Sequence, residues 1–185
     1  TPQTETAAGR DGVLGEIRSE GEALNMDKTE YFNNLVVRLE ELFFHELSDC
    51  AAWKTEMIGV DFIQSANITG STPEEIIESC IREITKAGLA SEITYSISGK
   101  GILLRMNVKD CIHIPKETTI KAHGVEPYNC PIANMIRDQL IEKLQYETTY
   151  VASMDTDEAA KECALQVAIY ETSDKIGEVT DWSNE

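Results

Sequence analysis

The chain has 185 residues, and its 33 Asp plus Glu against 16 Lys plus Arg give a formal charge of -17. Such a surface repels nucleic-acid phosphates and anionic lipid, which argues against nucleic-acid binding, and no apolar run is long enough for membrane insertion. The five cysteines are widely and irregularly spaced, unlike a disulfide framework, and residues 1–20 lack the apolar core of a leader. Together these features point to a reducing, cytoplasmic setting.

Residues 1–26, opening TPQTETAAGR, are polar and read as a flexible acidic arm. DKTEYFNNLVVRLEELFFHEL, residues 27–47, repeats apolar residues at steps of three and four and predicts an amphipathic helix. Asp27 is its expected cap, with Glu30 completing a capping box. The wide apolar face of this helix suits packing on a core or on a second subunit. GVDFIQSANITGS, residues 59–71, reads as a loop or brief strand. A second helix starts at Ser71 or Thr72 with Pro73, Glu74 and Glu75 in its first turn, and stops at Gly88. Its apolar face includes Cys80 as a packed thiol.

EITYSI, SGKG and ILLRMNV, residues 92–108, predict a hairpin with Leu104 and Met106 on one face. Residues 110–129 are irregular, and Pro115 argues against a central strand there. CPIANMIRDQLIEKL, residues 130–144, predicts a third helix with Pro131 at its first position. YETTYVASM and ECALQVAIYE are two closing strands, and residues 172–185 form an acidic tail. This order predicts an α+β (α/β-like) domain over residues 27–171, an antiparallel sheet with helices packed on one face.

Cys130 and Cys163, flanked by His123, Glu126 and Asp155, supply the thiolate, imidazole and carboxylate donors that bind zinc tetrahedrally. Cys130 stands at a helix start, where exposed amides are expected to lower a thiol pKa. A hairpin of the last two strands is expected to bring Asp155 to Cys163. Each residue also has a plainer reading, as a packed thiol, a turn histidine or a surface acid. Cys111 and His113 form a second pair that would suit a metal, with iron or haem as the alternative to zinc. Cys130, His123 and Glu126 can be cast as a nucleophilic triad, but no family signature supports that role.

Residues 98–170 resemble the 4-vinyl reductase domain. The resemblance is carried by GKGILLRMNV, CPIANMIRDQLIEKL, YETTYVASM and CALQVAIYE: a glycine before a strand, a cysteine opening an apolar helix, and two closing strands with a cysteine near the last. The chain departs from that pattern in DTDEAAKECALQV, which has no glycine and carries one cysteine where members often have two, with Asp155 near the place of the missing one. The resemblance implies a small-molecule-binding or sensory domain, related to the trafficking and nitric-oxide-sensing fold, that takes an apolar or aromatic small molecule. Zinc would bind at Cys130, Cys163, Asp155 and Glu126, and we add His123 from its position in the chain. Phe43, Phe62, Leu104, Met106, Met135 and Ile136 would line an apolar pocket. The resemblance supplies no catalytic residue. A homodimer through the first long helix, with output through a protein partner, fits this reading. The alternatives are a metal- or tetrapyrrole-dependent reductase and a non-catalytic dimerisation scaffold.

Overall fold

A computed structural model describes residues 27–98, 102–146 and 148–170. The arm expected at 1–26, the tail at 172–185 and most of the SGKG turn lie outside the described residues. The elements in chain order are α1 (Lys28–Leu47), a 3-10 turn (Ser48–Cys50), α2 (Ala51–Thr55), α3 (Val60–Gln64), α4 (Pro73–Lys86), β1 (Glu92–Ser98), β2 (Ile102–Lys109), α5 (Ile114–Ala122), α6 (Pro131–Leu144), β3 (Thr148–Asp157) and β4 (Glu162–Tyr170). The strands form one antiparallel sheet in the order β1-β2-β4-β3. The expected α+β class with a four-stranded antiparallel sheet is therefore present.

Alternation along the strands sets the sheet's inner face. Leu104 pairs with Val167, Met106 with Leu165 and Val108 with Cys163, and all six side chains are buried in the core. Ile76, Ile77, Cys80 and Ile84 of α4 and Ile132, Met135, Ile136 and Leu140 of α6 pack against them. Cys80 is the packed thiol its helical position suggests, fully buried with its pKa pushed up to about 12 by burial.

Local chemistry fixes the helix starts. The Thr72 hydroxyl accepts from the Glu75 N–H at 3.3 Å, and the Glu75 carboxylate accepts from the Ser71 N–H at 2.8 Å, a reciprocal cap for α4. Cys130 caps α6, its sulfur accepting from the Ala133 N–H at 3.5 Å, and Pro131 sits in the first turn. Asp27 occupies the cap position of α1, but its side chain makes no capping hydrogen bond.

Two stretches differ from expectation. Residues 60–64 are a short helix rather than a loop or strand. It starts from Gly59 at φ 92°, where an added Cβ would come within 2.9 Å of Met135 Cε and 3.2 Å of Pro131 Cβ. The irregular stretch after β2 contains α5, with Pro115 in its first turn, where the missing N–H costs nothing.

α1 is turned unexpectedly. Its buried residues are Asn33, Val37 and Glu40, while Tyr31, Phe32, Leu35, Leu39 and Leu42 are 44–61% exposed. The helix therefore faces the domain partly with polar groups and carries an apolar stripe outward.

Candidate functional site

The inward polar face of α1 meets α5 and the loop before α6 in a buried ionic corner. Lys116 Nζ donates to Glu40 Oε1 at 2.9 Å, to Glu40 Oε2 at 3.1 Å and to the Asn129 carbonyl at 2.8 Å, and pairs with Glu117 Oε1 at 2.7 Å. Lys116 and Glu40 are both 0% exposed. Asn129 Nδ2 donates to Glu40 Oε1 at 2.7 Å, and the Tyr128 hydroxyl donates to the Glu40 carbonyl at 2.7 Å. The chain of bonds continues outward. Asn134 Nδ2 donates to Asn129 Oδ1 at 2.8 Å, Arg137 Nη1 donates to Asn134 Oδ1 at 3.3 Å, and Arg137 Nη2 meets Glu56 Oε1 at 3.0 Å. At the other end of the contact, Asn33 Nδ2 donates to the Ile112 carbonyl at 2.8 Å and its Oδ1 lies 3.3 Å from His113 Nδ1.

Removing such charges from water costs several kcal/mol per ion, so the corner is better understood as a positioning device than as a source of stability. It fixes the rotation of α1 about its axis. Burial pulls the Lys116 ammonium down, but the Glu117 and Glu40 carboxylates outweigh it and hold the group above its ordinary value. Burial raises Glu117 from 4.5 to about 7 against the pull of Lys116. His113 is lowered from 6.5 to about 4, first by burial and then by the Lys116 charge.

Glu117 is 3% exposed, and its Oε2 is buried without a hydrogen-bond partner. The residue lines a cavity of about 360 Å³ together with Thr118, Ala122, Pro127, Met154 and Thr156, with Lys121 and Glu158 adding charges of both signs. A second cavity of about 400 Å³ is lined by Cys111, Ile112, Ile114 and Pro115 and shares Glu158 with the first.

Cys111, Cys130 and Cys163 gather near this corner. Burial, and then repulsion from Cys163, Cys111 and Glu117, pushes the Cys130 thiol well above its ordinary range. Burial raises Cys163 to about 12, opposed by the hydroxyl of Thr156, which lies 4.0 Å from its sulfur. Cys111 is also raised by burial. The lowered Cys130 pKa expected from its helix-start position is thus overturned, because desolvation outweighs the single amide contact. Thiols held in the neutral form are poor nucleophiles.

The five expected zinc donors do not converge. Cys130 and Cys163 share the buried corner, but Asp155 pairs with Ala164, whereas Thr156 faces Cys163, so the exposed Asp155 points to the opposite side of the sheet. His123 Nδ1 is bonded to Glu41 Oε1 at the surface, and Glu126 is exposed. Among the described residues no group of three His, Cys, Asp or Glu side chains is placed to hold a metal. This donor set does not fit a tetrahedral zinc site. Cys111 and His113 do not lie in a strand: His113 occupies the cap position of α5 without a side-chain capping bond.

Of the six expected pocket residues, Leu104, Met106, Met135 and Ile136 belong to the packed core and Phe62 packs against it, while Phe43 is half-buried on α1. None of the six lines either cavity beside Glu117. Sequence reasoning missed Glu40, Lys116 and Glu117. An adjacent Lys-Glu pair in a polar stretch looks like surface, and its partner Glu40 lies 76 positions away.

The fold and the corner define an α+β domain with a buried ionic cluster beside a cavity. No family model, curated protein or solved structure matches the chain. Among the described residues no helix is long and apolar enough to cross a membrane.

Proposed function

We propose that this domain binds a small molecule between α5 and β3 and reports its presence through α1 to a protein partner. The observation that carries this reading is the buried, unpartnered Glu117 Oε2 in a residue that lines the 360 Å³ cavity. An unsatisfied buried oxygen costs roughly 1–3 kcal/mol, which a ligand hydrogen bond would recover. Protonated Glu117 would donate to a ligand carbonyl, and ionised Glu117 would accept from an N–H or O–H. Ala122, Pro127 and Met154 offer an apolar wall. The ligand class is therefore a small molecule with an apolar or aromatic body and one hydrogen-bonding group.

The resemblance of residues 98–170 to the 4-vinyl reductase domain supports the same reading, since such domains bind hydrocarbons or aromatic compounds. The α+β arrangement is compatible with that fold. The reporting path is short. Glu117 shares Lys116 with Glu40, so a ligand that draws on Glu117 changes the hold of Lys116 on α1.

The test uses a panel of small aromatic amides and alcohols, with benzamide as the first probe, and reads the thermal midpoint and amide NMR shifts. Ligand binding to the native state raises the midpoint with concentration. A probe of this class should raise the wild-type midpoint and move α5 and α1 resonances. Met154→Trp, which narrows the cavity, should weaken both effects, with circular dichroism checking that the fold is kept. If no member of the panel binds the wild type at millimolar concentration, or if Met154→Trp binds as well as the wild type, the reading fails.

A further inference from the structure

We propose that the outward stripe of α1 is the seam of a homodimer in which two copies of α1 pack antiparallel.

The exposed apolar residues Phe32, Leu35, Leu39 and Leu42 are spaced three, four and three apart, the repeat that keeps a coiled-coil seam facing its partner. With Lys28 and Glu46 at its ends, the row stays within roughly 40° of one line on the helix surface at ~100° per residue. Asn33, Val37 and Glu40 lie on the other side and are anchored inward. The bonds of Asn33 to Ile112 and of Glu40 to Lys116 and Asn129 prevent α1 from rolling its stripe into the core.

The row is symmetric about Val37, and this selects the occupant. In an antiparallel pair whose two-fold axis passes at the level of that residue, Phe32 faces Leu42 of the second copy and Leu35 faces its Leu39. Each pair then occurs twice, as a two-fold interface requires. Lys28 faces Glu46 at both ends, so the charges match as well as the apolar residues. A parallel pair would set Lys28 against Lys28 and Glu46 against Glu46. The size is also sufficient. Five side chains at about half exposure, including Tyr31 beside the row, leave on the order of 500 Å² per copy, or about 1,000 Å² for the pair, the lower bound for a specific interface.

The test is sedimentation equilibrium of the full chain from sub-micromolar to high micromolar concentration. The expected result is a monomer–dimer equilibrium. Leu35→Glu should weaken it by at least about tenfold, with circular dichroism unchanged and the same thermal midpoint at sub-micromolar concentration, where both proteins are monomeric, because Leu35 is 44% exposed. Lys28→Glu should weaken it several-fold, and adding Glu46→Lys should restore it. A chain that stays monomeric throughout, or a dimer indifferent to Leu35→Glu, overturns the proposal. A double charge reversal that fails to restore pairing overturns the antiparallel register.

Discussion

Replacing Glu117 by glutamine isolates the titration at the centre of the ionic corner. Folding raises Glu117 from 4.5 to about 7, mainly by burial. The folded chain therefore keeps a proton that the unfolded chain releases, and this group's contribution to stability falls as pH rises from 4.5 through 7. At about 1.4 kcal/mol per pH unit, the loss across the window is about 3 kcal/mol. Glu117→Gln keeps the shape and keeps an oxygen to accept from Lys116, but it cannot ionise. Urea unfolding of both proteins at a series of pH values measures the difference directly. The stability of Glu117→Gln minus that of the wild type should be near zero at the acid end. It should then grow to about 3 kcal/mol near pH 8 and level off. Two parallel stability curves across this window would refute the reasoning, because they would show that Glu117 does not change protonation there.

His113 should act in the opposite sense. Its folded pKa is depressed to about 4, so its contribution is lost as pH falls from 6.5 through 4, and His113→Asn should flatten that acid limb by about 3 kcal/mol in the same unfolding series. Lys116→Met should destabilise the domain by about 3–5 kcal/mol, because Glu40 and Glu117 lose their counter-ion. Adding Glu40→Met should recover part of that loss, a coupling measured by a double-mutant cycle. Titration of the native protein with a thiol reagent should label Cys50 rapidly, since Cys80, Cys111, Cys130 and Cys163 are buried. The four others should react only after denaturant is added, and rapid labelling of two or more thiols would contradict the packing described for the corner.

The parts of the fold set by short-range rules were legible in the sequence. The alternation of Leu104, Met106, Leu165 and Val167 defined a sheet face, and Thr72-Pro73 and Cys130-Pro131 marked two helix starts. α5 was missed because Pro115 was read as a strand breaker, although a first helical turn accommodates proline equally well. The gathering of Cys130 with Cys163 is not fixed by their places at a helix start and a strand start, because it depends on how α6 packs on the sheet. Asp155 does not join them, because a shift of one residue along a strand reverses the side chain, and Thr156 holds the position facing Cys163. Burial of Glu40, Lys116 and Glu117 depends on a long-range meeting of α1 with α5, which neither periodicity nor composition encodes. The same meeting turned the apolar stripe of α1 outward, so amphipathicity identified the helix but not the direction it faces.

The ionic corner also bears on when α1 joins and leaves the domain. The bonds from Asn33 and Glu40 to Ile112, His113, Lys116, Tyr128 and Asn129 span 76 to 89 positions of chain, whereas β3 and β4 are joined by a tight turn. Long closures are entropically slow to form. α1 is accordingly expected to dock after the sheet and α6 have assembled, and to detach first. Amide hydrogen exchange reads this directly, as earlier exchange along α1 than along α6 and β4. Such a partial opening would admit water to Lys116 and Glu117 while the sheet stays intact, so proton exchange at the corner would follow the undocking of one helix rather than global unfolding.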